Sequence, residues 1–509
     1  MIPVLRKNDM QALDKFMIEQ RNIPSLVLME NAAFGITSVI SERFGTQTKI
    51  VAVCGVGNNG GDGFAAARQL EAKGYAVTVC LIGKAEALKG DAAVNAAFFG
   101  RRIIEIEDED TAGAFLLGLC GGVIIDAAFG VGLSRDVTGI NAAVIHLINQ
   151  SGAYVVACDI ASGIDADTGA VRGIAVNADE TVTFQCAKPG HLLFPGRAHT
   201  GKLTVKEIGV TAGFTQSFMG WADRVSLQPR QADTNKGSYG RLACIVGSRG
   251  MAGAGLMCVG AALHAGAGLV TAGVPACLQS VFETENPESM TFALDDFSGC
   301  LSEQCLDGLD KLMEGKTALA AGPGLSTGGG TMAAVRHLLT HYDIRKVFDA
   351  DALNLIAQDV KLLKEKVGDV VLTPHVKEFS RLCGASVEQI LSDPLTYAQS
   401  FANEYGIVLL LKGATTIITD GQRTVFVTAG SPGMARGGSG DILTGVISGL
   451  MCGGREGGKT AFEAAVTGSY ICGKAGEAAA AQLGELSMTA TDTLAHLSCV
   501  SMDMTGHKN

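Results

Sequence analysis

The sequence predicts an α/β protein made of two consecutive αβα domains, and three observations carry that expectation. Short apolar runs alternate with helix-like stretches in both halves, the pattern of parallel strands joined by crossover helices. Glycines, 67 of 509 residues, exceed the roughly 7% of an average chain. They fall singly or in short clusters just after the apolar runs, where β-to-α turns need them. The length also exceeds one core at roughly 100–200 residues per domain.

Taken in order, the first half places strands at Lys49–Cys54, Ala76–Ile82, 122–127 and 154–160. A helix is expected from about Asp62 to Lys73, after the first glycine turn. The second half repeats the pattern at 241–247, 317–321, 346–349, 369–372 and 407–411. Two more strands, 415–419 and 423–427, are joined by Asp420-Gly421, a hairpin signal. The stretch 251–274 holds no acidic or basic residue apart from His264, a length that would flag a membrane span. Its Gly and Ala content reads instead as a tightly packed interior helix running into a strand. Residues 211–234 contain the only Trp and no sustained period. The boundary is expected near residue 225, giving domains 1–220 and 225–509.

Apolar residues make up 47% and charged residues 18%, a globular composition. A net charge of −11 argues against nucleic acid or an anionic membrane as partner. The N-terminal run Met-Ile-Pro-Val-Leu-Arg-Lys-Asn-Asp has no long apolar stretch, so no secretory signal is expected. The 14 cysteines, from Cys54 to Cys499, form no Cys-x-x-Cys pair. Reduced thiols in a cytoplasmic protein are the expectation.

In the first half, Gly55, Gly57 and Gly60 match Gly-x-Gly-x-x-Gly directly after a strand, a Rossmann-like arrangement. The acid that would hold a ribose about 20 positions on is missing; the second strand ends Leu81-Ile82-Gly83-Lys84. A conventional NAD-dependent dehydrogenase is therefore disfavoured. Asn58, Asn59 and Asp62 make the turn polar, as a ligand or ion would require. Asp126 and Asp159 end two further strands, and in a parallel sheet such ends line one crevice. Their oxygens with Ser162 suit a hard cation. Any one of these Asp residues alone reads better as a helix or turn cap; three strand ends together favour a site.

These residues resemble the YjeF N-terminal family, the NAD(P)H-hydrate epimerases. The matching segments are 23–31, 55–63, 126–133, 159–165, 181–184 and 188–190, within residues 5–210. The resemblance implies that Asn58, Asn59, Gly60, Gly61 and Asp62 contact the hydrated nicotinamide nucleotide. It extends this to Gly130, Val131, Gly132, Leu133, Ser134, Arg135 and Asp136, with Asp159. It implies K+ on Asn59, Asp126 and Ser162. Ala161 stands where the family usually has Pro, which removes no ligand atom.

In the second half, Gly437-Gly438-Ser439-Gly440 precedes Asp441 and an apolar helix. Bare backbone N–H groups at a helix start bind anions, and the carboxylate stands beside them. Lys412 offers a mobile point charge for phosphate. His375 lies just past a strand end, and residues 322–326 form another glycine turn. Residues 453–460 formally match a P-loop but follow a helix where a P-loop needs a strand, so they read as a helix-to-helix turn. The physics alone describes a nucleotide-phosphate enzyme of ribokinase-like organisation.

The whole motif set is similar to the YjeF C-terminal family, the ADP- or ATP-dependent NAD(P)H-hydrate dehydratases, over about residues 228–480. The matches include 236–240, 322–326, 349–354, 373–379, 412–416 and 433–441, with Asn235 where the family commonly has His. The resemblance implies that Lys412, Gly413, Ala414, Thr415, Thr416 and Gly440 bind ADP, or ATP. It places Ala254, Gly324, His375 and Asp441 on the hydrate, with Asp441 and Asp159 catalytic in their respective halves. Mg2+ is allowed for the dehydratase. The expected function is repair of NADH and NADPH hydrates by a homo-oligomer. The alternative is a ribokinase-like small-molecule kinase fused to a non-catalytic nucleotide-binding scaffold.

Overall fold

The computed structural model describes residues 1–99, 103–210, 218–453 and 458–505. It divides into two compact units, Ile2–Met219 and Gly220–Asn509, with Met1 counted in the second.

The first unit is a seven-stranded parallel sheet. Its strands are β1 (Lys49–Cys54), β2 (Ala76–Ile82), β3 (Ile104–Ile106), β4 (Val123–Ala127), β5 (Tyr154–Cys158), β6 (Glu180–Phe184) and β7 (Lys202–Lys206). The spatial order is β3-β2-β1-β4-β5-β6-β7, every pair parallel. Alternation along β1 builds two cores at once. Ile50, Ala52 and Cys54 pack under α1 (Lys7–Glu19), α2 (Ser25–Arg43) and α3 (Asn58–Ala72). Val51 and Val53 pack under α4 (Ile140–Gln150). Three layers follow, and β4 lies at the sheet's centre with its carboxyl end beside that of β1.

α3 begins at Asn58, not at Asp62, so the glycine turn is the helix's own first turn. Glycine's poor helix propensity points away from a helix here, but contact overrides it. A Cβ on Gly60 would lie 1.8 Å from the carbonyl oxygen of Gly55, so only glycine lets the helix start so close to its strand.

The main sheet of the second unit includes the strands β8 (Arg241–Ile245), β9 (Leu269–Pro275), β10 (Met290–Leu294), β11 (Ala318–Ala321), β12 (Arg345–Phe348), β13 (Val370–Leu372), β14 (Val408–Leu411), β15 (Thr416–Thr419) and β16 (Arg423–Val427). Their order is β16-β15-β14-β13-β12-β11-β8-β9-β10. Pairing is parallel from β10 to β14 and antiparallel through the β15–β16 hairpin. The stretch 251–274 resolves as α5 (Ala252–His264) followed by β9. Against α5 lies α7 (Ser439–Cys452), and a Cβ on Gly445 would lie 2.1 Å from the carbonyl oxygen of Cys258. α6 (Val376–Cys383) follows β13, and α8 (Ala461–Leu483) follows α7. Of the P-loop-like segment, 454–457 lie outside the described residues; it is preceded by helix α7, not by a strand. Among the described residues no helix is long and apolar enough to cross a membrane.

Candidate functional site

Each unit gathers its candidate residues at the carboxyl ends of its strands. In the first, a cavity of about 600 Å³ opens between the α3 start, the turn after β4, and helices α1 and α2. Asn58, Asn59, Asp62, Asp159 and the run Gly130, Val131, Gly132, Leu133, Ser134 and Arg135 all line it. Gly60 and Gly61 are buried behind the lining, where they set the close approach of α3. Asp136 is exposed and outside the cavity.

Beneath the cavity, Asp126 and Ser162 are joined. Ser162 donates from Oγ to Asp126 Oδ1 at 2.6 Å and from its N–H to Oδ2 at 2.8 Å. Asp126 is fully buried, and burial pushes its carboxyl up to about 6 against the Ser162 bonds. No cation of the protein pairs with it among the described ion pairs, while Asn59 Nδ2 is buried without a partner. The Asp126 carboxylate, the Ser162 hydroxyl and the side-chain carbonyl of Asn59 offer oxygens that fit a hard monovalent cation, whereas the unpartnered Asn59 Nδ2 is a donor that suits a ligand oxygen.

Asp159 carries the most constrained carboxylate. Its backbone is left-handed at φ 61°, a conformation that non-glycine residues hold only when neighbours enforce it. Its N–H donates to Val182 O at 2.8 Å. Its carbonyl meets His191 Nε2 at 2.9 Å. His191 Nδ1 accepts from Lys188 N–H, so the proton of the neutral ring sits on Nε2. Burial, then the Lys188 charge, holds His191 down at about 3. The Asp159 side chain is ion-paired to Lys188, whose ammonium is 1% exposed. Burial opposes the charge on Asp159, yet Lys188, His191 and Thr183 outweigh it and hold the carboxyl below its usual range. Lys188 and Asp14, which lines the cavity from α1, are additional to the expected set. The segment 188–190 carried Lys188 into view, whereas nothing local marks Asp14, which only packing brings there.

In the second unit, Asp349, just beyond β12, receives Lys412 Nζ at 2.8 Å and Thr444 Oγ1 at 2.8 Å. Lys412 also lies 3.9 Å from Glu378. It is therefore a fixed cation and not the mobile point charge expected. Burial works against its charge, but Asp349 and Glu378 outweigh it and raise its proton affinity. The Lys412 ammonium stands at the start of α7, where a Cβ on Gly440 would come within 3.3 Å of Nζ. Asp441 occupies the first turn of α7. Burial, then the charge of Asp349, raises its carboxyl to about 6, with Lys412 opposing.

His375 caps α6, its Nδ1 accepting from the N–H groups of Lys377 and Glu378 at 3.1 and 3.2 Å. Nδ1 is thereby the unprotonated nitrogen, and Nε2 carries the proton on a half-exposed edge. The segment Gly413, Ala414, Thr415 and Thr416 turns from β14 into β15 directly after Lys412. Gly324 follows β11, and a Cβ on it would lie 3.1 Å from that of Ala254. Glu378 and Thr444 complete the set without having been singled out; each is an ordinary helix residue until the fold carries it to Lys412 and Asp349.

Residues 242–498 match the family model described as NAD(P)H-hydrate dehydratase, and residues 25–190 match that of the YjeF-related protein N-terminus. The bifunctional NAD(P)H-hydrate repair enzyme of Moorella thermoacetica is 40% identical over 504 residues, 96% of this chain and 94% of its own. That of Escherichia coli is 34% identical over 87% of this chain and 83% of its own. A solved ADP/ATP-dependent NAD(P)H-hydrate dehydratase from Bacillus subtilis is 27% identical, with a TM-score of 0.47, covering 55% of this chain and 95% of its own. With two sites of this construction, one in each unit, and full-length similarity of this degree, the chain belongs to the family of bifunctional NAD(P)H-hydrate repair enzymes.

Proposed function

We propose that the first unit interconverts the R and S hydrates of NADH and NADPH, and that the second dehydrates the S form with ADP. One observation carries the reading: each unit sets a carboxyl of shifted proton affinity within the field of an ion-paired lysine, Asp159 against Lys188 and Asp441 near the Lys412–Asp349 pair. Both units are thus equipped to move protons.

In the dehydratase, Lys412 and the free N–H groups at the start of α7 suit the phosphates of ADP, with Gly440 between them. Gly413, Ala414, Thr415 and Thr416 would hold the rest of the nucleotide. Ala254, Gly324 and the Nε2–H of His375 face the hydrate. The hydroxyl departs toward the phosphate site while Asp441 accepts the proton from the neighbouring carbon. Mg2+ is the counter-ion such phosphates would bring. In the epimerase, Asn58, Asn59 and the 130–135 loop bind the hydrate. Asn59, Asp126 and Ser162 would hold K+, which supplies positive charge beneath the substrate. All fourteen cysteines are free, which supports a reducing, cytoplasmic location. Self-assembly is part of the same proposal, and light scattering of the purified chain checks it.

The test is recovery of NADH absorbance from mixed R and S hydrate with ADP, set beside the uncatalysed interconversion of the epimers. Full recovery, faster than that interconversion allows, is expected. Recovery of the S fraction alone would leave the first unit a binder. No recovery with ADP or ATP would overturn the repair reading in favour of a kinase.

A further inference from the structure

The first cavity holds more acid–base equipment than binding requires. Asp14, Asp62, Asp91, Asp159, Lys188 and Arg135 all face it. Two of these carboxyls are prepared in opposite ways. Asp159 is anchored by one oxygen only: Oδ1 accepts from Lys188 Nζ, lies 2.9 Å from Thr183 Oγ1 and meets Phe184 N at 3.4 Å. Its Oδ2 makes no hydrogen bond among the described residues and remains available to the cavity. The carboxyl of Asp62, in the first turns of α3, makes no hydrogen bond to the described protein at all, yet lines the same space. Asp62 is only partly exposed; a carboxyl withdrawn from water without a partner is costly, and a ligand hydrogen bond would relieve it. Burial, then the charges of Asp159 and Asp14, drives Asp62 well above its usual range, with Lys188 opposing and Asp91 adding. Asp159 is held below it. Two titratable groups pushed apart by their surroundings mark an acid and a base.

We propose that Asp62 is the acid and Asp159 the base of the epimerase reaction, with Lys188 as the positioning residue that locks Asp159. The inference rests on the epimerase reading above. In the hydrate, the hydroxyl-bearing ring carbon is bonded to the ring nitrogen. Asp159 takes the hydroxyl proton, the O–H pair becomes the second bond of a carbonyl, and the carbon–nitrogen bond breaks. Its electron pair goes to nitrogen, which takes the proton of Asp62. The ring is now an open aldehyde. Rotation about the adjacent carbon–carbon bond turns the other carbonyl face to nitrogen. On closure the nitrogen proton returns to Asp62 and the Asp159 proton returns to oxygen. Every proton and electron pair is restored, the carbon is inverted, and no oxidant or external water is consumed.

The full-length chain supplies its own control. With mixed NADH hydrates and saturating ADP, the fast phase reports dehydration of the S form and the slow phase reports epimerisation. Asp62→Asn is close to isosteric and breaks no protein hydrogen bond. It is expected to lower the kcat of the slow phase at least 100-fold, or to the uncatalysed rate, at nearly unchanged KM. The fast phase should not change. Lys188→Met should likewise abolish the slow phase, and Lys188→Arg should restore much of it. If Lys188→Met fails to fold, Thr183→Val loosens the same Asp159 oxygen and should lower kcat alone. A raised KM with parental kcat in Asp62→Asn would make Asp62 a binding contact and overturn the proposal. Loss of the slow phase in Asp14→Asn but not in Asp62→Asn would overturn it too, placing the acid on α1. A parental slow phase no faster than the uncatalysed one would instead defeat the epimerase reading itself.

Discussion

Asp349 illustrates how much a single buried carboxylate decides. It is 1% exposed, holds Lys412 and Thr444, and adds negative charge beside Asp441. Asp349→Asn removes that charge, so Asp441 should ionise more easily and the acid limb of dehydratase kcat/KM should move below its parental position near pH 6. The sign follows from the base role: activity is present above the pKa of Asp441 and lost as pH falls through it. A limb that stays put would show that Asp349 acts only on Lys412. The variant should also raise the KM for ADP, because Lys412 is no longer held at α7. Removing one partner of a buried ion pair costs about 3–5 kcal/mol, so thermal unfolding of the second unit should fall measurably. Asp441→Asn, by contrast, should abolish dehydration and leave epimerisation of the hydrates intact, as chromatography of the two epimers would report. Loss of both activities would defeat the assignment of one site to each unit.

At the scale of elements, both sites hang on helices that start or cross unusually close to backbone. Gly60→Ala would drive a methyl into the Gly55 carbonyl at 1.8 Å, and α3 would have to move. Epimerase activity should be lost with dehydration unaffected, measured in the same two-phase assay. Gly445→Ala meets the Cys258 carbonyl at 2.1 Å, forcing α7 away from α5. Overpacking of this kind costs roughly 1–3 kcal/mol. The shift would carry Asp441 with it, so the variant should lose dehydratase activity beyond what its fall in Tm explains. The strands themselves were open to sequence reading because continuous apolar runs after glycine turns have few other uses. β3, β6, β7 and β10 escaped it. β3 has three residues, and β7 reads Lys-Leu-Thr-Val-Lys with a half-polar pattern. Such segments become strands because a neighbour's edge pairs them, not because of their own composition.

For the whole molecule, each unit has core clusters of its own, so a ligand is expected to act on the unit that binds it. A nucleotide that binds only the folded second unit, at about 100 times its Kd, stabilises it by about 2.7 kcal/mol. Differential scanning calorimetry with ADP should therefore raise one transition and leave the other in place. A shift of both would mean that the units unfold together. The chain by itself determined the two αβα sheets, the glycine turns, the residues Asp126, Asp159, Ser162 and Lys412 near strand ends, and Asn59 and Asp441 at helix starts. Those features follow from local rules: side-chain alternation, glycine where backbone must come close, and polar residues where parallel strands end. Only the tertiary structure decided that Lys188 lies against Asp159, that Asp14 and Asp62 face the same cavity, and that Asp349 immobilises Lys412. These pairings join residues 29, 48 and 63 positions apart in the chain. Their protonation depends on burial and on one another's charge, quantities that exist only once the sheets have packed.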